Sequence, residues 1–498
     1  MFSPTTPRIS KTAGRRRGMA AGIALTAALS ATFLTPGLAN AAPAAPPSPP
    51  AEIVHGDVMN YAINVATANQ GQTKKVERAV EKSGGEVIAS YAEIGVVIAQ
   101  SDNTVFADTL RFDKAVESVG ATRTAPVRAA DATYLGAGAS SAPERRSAAV
   151  TKDTGVEAAA DVVADPLEAE QWDMSLIGAD AAHQITDGDR DVLVAVLDSG
   201  IEATHPDLAA NIDPTVSAGC LSGVPNTAPE AWQPTTSSHG THVAGTIAAA
   251  RNGVGIVGVA PNVRLSAVKV VNDSGFIYPE AAICGFMYAA ATGADVTNNS
   301  YYIDPWMFWC DDNADQAAVK ESVDRAVQYS QGLGVVNVAA AGNSNIDLAN
   351  KTTDSSSPND TTPAVRPVAT GCADIPAELD GVVTVSSATK TSEKSSFSNY
   401  GRDVIDVAAP GSSILSTVTG GGYALYSGTS MASPHAAGVA ALIKSTHPQV
   451  SGQALTGLLS GQATDVPCPV GSIQCVGSTA DNGFFGEGMV NALTAVQQ

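Results

Sequence analysis

The sequence predicts an α/β protein, a parallel sheet covered by helices on both sides, preceded by a small α+β domain. Three observations lead there. Continuous apolar runs such as "DVLVAVL" (191–197) suit strands buried on both faces. Helical stretches such as "HGTHVAGTIAAA" (239–250) and "CGFMYAAATG" (284–293) alternate with those runs, as strand–helix crossovers do. Residues 53–125 instead carry short strands of alternating polarity, a different pattern on a separate stretch.

At the start, Arg15, Arg16 and Arg17 precede an apolar stretch from Met19 to Leu34, and "ANA" at 39–41 offers a small-residue cleavage site. That is the layout of a secretory signal peptide over 1–42. The apolar part falls short of the roughly 18–20 residues a membrane anchor needs, and the residues around the arginines fit a twin-arginine signal poorly. A proline-rich spacer fills 43–52. The expectation is a secreted, extracellular protein with no membrane attachment once the signal is removed. Export implies an oxidising compartment, which suits the six cysteines. Six cysteines allow about 15 pairings, and the sequence does not choose among them. The working expectation is Cys220–Cys284, Cys310–Cys372 and Cys468–Cys475, the last closing a short loop. Acids exceed bases by 49 to 28, a net charge of −21, so the basic footprint of a nucleic-acid partner is missing. The acidity reads as solubility outside a cell.

Within 53–125, "YAINVA" (61–66) puts Tyr61, Ile63 and Val65 on one strand face. "KKVERAVEKSGG" (74–85) sets Val76, Ala79 and Val80 at helical spacing and stops at Gly84-Gly85. "EVIASY" (86–91) and "IGVVIAQ" (94–100) are two further strands, "NTVFADTLRF" (103–112) a short helix opened by Asn103, and "KAVESV" (114–119) a last strand. The order β-α-β-β-α-β is a split, ferredoxin-like layout. Residues 126–165, rich in Ala, Ser, Thr and charge without a period, read as an exposed, cleavable linker. The large α/β domain occupies 166–498. Its further strands are "VRLSAVKVV" (263–271), "GADVTNNS" (293–300), "LGVVNVAAA" (333–341), "GVVTVSSA" (381–388) and "VIDVAAP" (404–410). Ligands of such sheets bind beyond the carboxyl ends of the strands.

Residues at those ends carry a chemistry. Asp198 directly follows the run 191–197, and His239 begins a helix of small residues. Ser430, in "SGTSMASPH" (427–435), is read as opening a helix with Pro434 in its first turn, where a missing N–H matters little. A helix start offers unpaired N–H groups and partial positive charge. A serine hydroxyl is a poor nucleophile until a base takes its proton. His239 can do so near neutral pH, and Asp198 can hold the imidazole's tautomer and stabilise its charged form. Asn343, in "AAAGN" (339–343), can donate its side-chain amide to the tetrahedral oxyanion beside the Ser430 backbone N–H. Alone, each has a bland reading: turn, helix start, N-cap, left-handed turn residue. The order Asp…His…Asn…Ser makes coincidence hard to sustain, and it excludes the Ser…Asp…His order of α/β-hydrolases. His242 and His435 sit inside packed helices and read as structural.

With these residues in hand, the chain resembles the subtilisin-like serine peptidases, the subtilases. The resemblance rests on "VAVLDSGI…HPDL", "HGTHVAGTIAA", "VGVAP", "AAAGN", "SSFSNYG", "DVAAPG" and "SGTSMASPHAAGVAAL", which run in the family's order over roughly 190–445. It implies Asp198, His239 and Ser430 as the triad, Asn343 as the oxyanion residue, and 53–125 as an inhibitory pro-domain acting on its own chain. It also implies an extended peptide substrate held between backbone edges near Ser274-Gly275 and at Asn299-Ser300-Tyr301. Where many relatives have Ser-Leu-Gly, this chain has Ser300-Tyr301-Tyr302, so Tyr302 is expected to crowd or redirect the first specificity pocket, and the preferred side chain stays open. Asp207 and Asn252 match positions that supply calcium ligands in some members; no catalytic metal or cofactor is expected. The expected function is a monomeric, secreted serine endopeptidase acting on peptides or proteins, made as a self-processed precursor. Alternatives are a dedicated maturation protease for one secreted peptide and a non-catalytic peptide-binding module.

Overall fold

The computed structural model describes residues 55–127, 164–368 and 371–497; the predicted signal, the spacer and most of the linker lie outside the described residues. The first part is the expected β-α-β-β-α-β unit: β1 (His55–Val65), α1 (Gln70–Lys82), β2 (Gly85–Tyr91), β3 (Val96–Asn103), α2 (Phe106–Leu110) and β4 (Val116–Ala121). Its sheet runs β2-β3-β1-β4, each neighbour antiparallel. The helix α2 is shorter than expected. Asn103 belongs to β3, and its side chain accepts the Val105 N–H at 3.2 Å instead of capping the helix.

Strand alternation sends two sets of side chains to two cores. Tyr61, Ile63 and Val65 pack with Val76, Val80, Phe106 and Leu110 inside the small unit. Ala62, Val96 and Ile98 point the other way, into the core of the large domain. There they meet α4 (Pro279–Ala291) and α5 (Ala314–Gly332), helices that carry the large sheet on their other side. Helix α4 is apolar all round and almost wholly buried, as a helix between two sheets must be. Several polar residues on this face bond across the joint. Asn64 donates to the Ala318 carbonyl at 2.7 Å and accepts from Ser322 at 2.9 Å. Tyr91 Oη donates to the Gly223 carbonyl at 2.6 Å. Arg123 and Glu280, both almost fully buried, form an ion pair that Asn60 joins at 2.7 Å. Burial would raise the Glu280 carboxyl, but Arg123 and Asn60 more than offset it and hold it below its ordinary value. Removing one member of such a pair typically costs about 3–5 kcal/mol, because the other charge stays buried.

The large domain is a seven-stranded parallel sheet. Its members are β5 (Leu193–Asp198), β6 (Ala218–Gly219), β7 (Arg264–Lys269), β8 (Val296–Asn299), β9 (Val336–Ala340), β10 (Val383–Ala388) and β11 (Val407–Pro410), in spatial order β11-β10-β9-β8-β5-β7-β6. Helices α3 (His239–Ala248) and α6 (Thr429–Thr446) pack together on one face, with α4 and α5 on the other. All three expected disulfides are present. Among the described residues, no helix is long and apolar enough to cross a membrane.

Candidate active site

Asp198 is the last residue of β5 and almost fully buried; His239 is the first of α3 and half-buried. The imidazole Nδ1 lies 2.9 and 3.0 Å from the two Asp198 oxygens, which fixes the proton on Nδ1 and leaves Nε2 free to accept. Burial alone would lower the imidazole pKa, but the Asp198 charge and hydrogen bond reverse that and raise it above its ordinary value. Close packing fixes the pair. A side chain at Gly240 would meet the Gly200 carbonyl at 2.5 Å and Asp198 Oδ1 at 3.0 Å, so only glycine lets α3 start this near the carboxylate. Tyr301 is half-buried beside them, and its hydroxyl is pushed well above its ordinary pKa by desolvation and by the Asp198 charge.

Ser430 is the second residue of α6, which begins at Thr429, one residue earlier than expected. Pro434 therefore lies in the helix interior and not in the first turn. A proline there removes the N–H that would bond the carbonyl four residues back, which is Ser430's. The Ser300 hydroxyl fills the gap, donating to the Ser430 carbonyl at 2.9 Å while accepting from Asn298 Nδ2 at 2.8 Å. The proline thus ties the nucleophile candidate to the end of β8. In this resting arrangement the Ser430 hydroxyl itself donates to the Ser300 carbonyl at 3.2 Å, and no hydrogen bond joins it to His239 among the described residues.

Asn343 follows β9 through Gly342, whose φ of 96° suits glycine. Its Oδ1 accepts both the Thr429 N–H at 2.8 Å and the Thr429 hydroxyl at 3.0 Å. An N–H can only donate, so the atom facing Thr429 is the oxygen, and the Asn343 NH₂ is directed elsewhere. Ser430 and Asn343 share the wall of one cavity of about 380 Å³.

The expected substrate-edge residues divide. Gly275, Ser300, Tyr301 and Tyr302 line the cavity. Ser274 lies beside it on the exposed turn, with its N–H given to Asn272 Oδ1 at 3.0 Å. The Asn299 side chain is internal: it donates to Thr297 and to the Val338 carbonyl and accepts from the Tyr301 hydroxyl. The Tyr302 hydroxyl accepts from Asn359 Nδ2 at 3.0 Å, so this ring forms one wall of the pocket.

Three wall residues carry no motif that sequence reading could find: Asp304, Asn359 and Asp374. The Cys310–Cys372 bridge, with Trp309–Cys310 paired antiparallel to Cys372–Ala373, carries Asp374 to the site. Burial pushes Asp304 up to about 6, partly offset by Asn359 and by the Ile277 N–H. Burial and the neighbouring Glu378 hold Asp374 well above its ordinary value.

His242 and His435 are internal, as expected. His242 Nε2 sits 3.1 Å from the Ile414 and Ala424 carbonyls, and burial lowers its pKa to about 4. His435 bridges the Met431 carbonyl and Asp173. The calcium expectation does not fit the residues present. Asp207 Oδ2 takes the Ile256 N–H and the Tyr423 hydroxyl, while the exposed Asn252 donates to the Pro206 carbonyl and accepts the Val254 N–H. Of these two side chains only Asp207 Oδ1 is a buried oxygen without a partner, against the six to eight oxygens that calcium seeks.

The Subtilase family model matches residues 189–488, more than half of the chain. Subtilisin DY of Bacillus licheniformis is 34% identical over 326 residues, covering 66% of this chain and 98% of that protein. Subtilisin E of Bacillus subtilis (strain 168) is 33% identical over 366 residues, covering 73% and 81%. Among solved structures, the epidermin leader peptide processing serine protease EpiP from Staphylococcus aureus superposes with a TM-score of 0.64, at 22% identity over 89% of this chain and 98% of that one; at that identity the likeness concerns the fold. With its family model, its relatives and its parallel sheet in agreement, the chain belongs to the subtilase family and is a serine-type endopeptidase.

Proposed function

We propose that the protein is a secreted endopeptidase, made as a precursor, in which Asp198, His239 and Ser430 form the catalytic triad and Asn343 supplies the oxyanion donor. The observation that carries the reading is the Ser430 hydroxyl at the start of α6, sharing a cavity with Asn343, on a helix packed against the one that presents the Asp198–His239 pair. Substrate would draw the hydroxyl off the Ser300 carbonyl and toward His239 Nε2; such contacts commonly tighten only when substrate binds. Ser430 Oγ then bonds to the peptide carbonyl carbon as its proton passes to Nε2. The oxyanion receives the Asn343 amide and the Ser430 N–H, one of the four that a helix start leaves unpaired. Collapse breaks the C–N bond, His239 returns the proton to the leaving amine, and water hydrolyses the acyl-enzyme by the same route.

Residues 53–125 act, in this reading, as an intramolecular inhibitor and folding aid, released by cleavage within 126–165, with 166–498 as the peptidase domain and 1–42 as the signal. The polar joint through Asn64, Tyr91 and Arg123 supports it. A narrower version, a protease dedicated to one secreted peptide, draws on the Tyr302 wall and the bridged loop behind it. Cleavage profiling on a peptide library separates the two: a single preferred motif favours the narrower version, broad cleavage the general one.

Asn343→Ala tests the oxyanion role. The expected result is a fall in kcat of about 10²–10³ with KM little changed, a magnitude carried over from subtilisin. An unchanged kcat would remove Asn343 from the mechanism.

A further inference from the structure

The cavity beside Ser430 has an uneven chemistry. Its walls hold two carboxyl groups, Asp304 and Asp374, and no lysine, arginine or histidine. Asp374 is 2% exposed, and among the described residues neither of its carboxylate oxygens meets a hydrogen-bond donor; Oδ1 is buried outright. Lys351 lowers the Asp374 pKa only through space and makes no bond to it; its ammonium bonds to Glu378 and to the Leu348 carbonyl. Asp304, 4% exposed, is by contrast satisfied, taking the Ile277 N–H at 2.6 Å and the Asn359 amide at 2.6 Å. That amide is spent there and on Tyr302, which leaves Asn359 Oδ1 a second buried acceptor without a donor. The pocket thus has bare acceptors and a guest must bring the donors.

The position of Asp374 relates this imbalance to the reaction. Its Oδ2 lies 3.6 Å from where a Gly342 side chain would begin, across the backbone residue that leads into Asn343. A side chain attached to the residue supplying the scissile carbonyl would enter this cavity from the Ser430 side. Phe276, Ile277, Met307 and the Tyr302 ring offer apolar walls along the way. A long aliphatic stem with a cationic head matches that sequence of surfaces, stem against the apolar walls and head at the carboxylate. Guanidinium brings five N–H donors and ammonium three, and neither accepts.

We propose that this cavity receives a lysine or arginine side chain from the substrate residue preceding the scissile bond, with Asp374 as its buried counter-charge. The proposal rests on the reading of Ser430 as nucleophile and adds the substrate class. With no partner the buried Asp374 carboxyl favours its neutral form; an entering cation favours the charged form and pairs with it, and a neutral or acidic guest does not.

The test uses the processed enzyme and peptides identical except at that one residue: Arg, Lys, Gln, Leu or Glu. The expected result is a kcat/KM for Arg and Lys at least about 10² above Leu and Gln, since a site built around a buried charge strongly rejects a guest that leaves it unpaired. Asp374→Asn is expected to lower Arg and Lys cleavage by about 10²–10³ while Leu changes within about threefold. A second measurement needs no variant: benzamidine, a small cation, should inhibit the native enzyme competitively, and benzyl alcohol at the same concentration should not. Preferred cleavage after Leu, with benzamidine no better than benzyl alcohol, would overturn the pocket assignment and leave the nucleophile standing. Cleavage of none of the peptides would overturn both.

Discussion

Ser430→Ala is expected to lower kcat by about 10⁶, a magnitude carried over from subtilisin, with peptide binding kept. The loss is this large because the hydroxyl is the atom that bonds to substrate; without it neither His239 nor Asn343 has a covalent intermediate to serve. The fold should survive, since the Ser430 side chain makes one hydrogen bond at the cavity wall and the ties that hold α6, Ser300 to its carbonyl and Thr429 to Asn343, do not involve its hydroxyl. The same substitution tests self-processing. Made alone and free of other proteases, the Ser430→Ala precursor should stay uncut within 126–165. Normal trimming of that precursor would argue against self-processing through Ser430.

Asp198→Asn is the second large effect, expected at about 10⁴ in kcat near neutral pH. The carboxylate faces His239 Nδ1 with both oxygens and also takes the Ser199 N–H at 2.6 Å. An amide presents an NH₂ that favours the opposite tautomer, with the proton on Nε2, where it cannot accept from Ser430. The His239 pKa, raised in the native protein by Asp198, should fall in the variant. Geometry should change little, so a loss of activity with an unaltered melting temperature is the expected signature. A variant within tenfold of the native enzyme would mean that Asp198 does not orient the base.

These two residues were also the most legible ones. Asp198 ends an uninterrupted apolar run, and His239 heads a helix of small residues, so strand and helix boundaries alone bring both to the ligand-binding edge of the sheet. The order β-α-β-β-α-β was equally readable, because Tyr61, Ile63 and Val65 alternate with residues of another kind. What that alternation did not reveal was the other face. Asn60 and Asn64 look like solvent-facing positions, yet helices from residues 279–332 cover them, and only tertiary packing decides that. Pro434 was misplaced: it lies in the helix interior and not in the first turn, and there it leaves the Ser430 carbonyl to Ser300. The pocket acids left no trace in the sequence. Asp304, Asn359 and Asp374 lie on long connections without a period, and their course is set by the Cys310–Cys372 bridge and by Arg366 reaching Asp354 and stacking over Trp306.

The central claim is that Ser430, alone among the serines of this chain, is made nucleophilic by His239. Reaction with a serine-directed phosphonate, followed by peptide mass mapping, tests it most directly. The account predicts a single adduct on Ser430, formed at a rate that rises with pH as His239 loses its proton, with a midpoint above that of an ordinary imidazole because Asp198 stabilises the charged ring. It also predicts no adduct after denaturation. No labelling of the folded enzyme, or an adduct on any other serine, would contradict it.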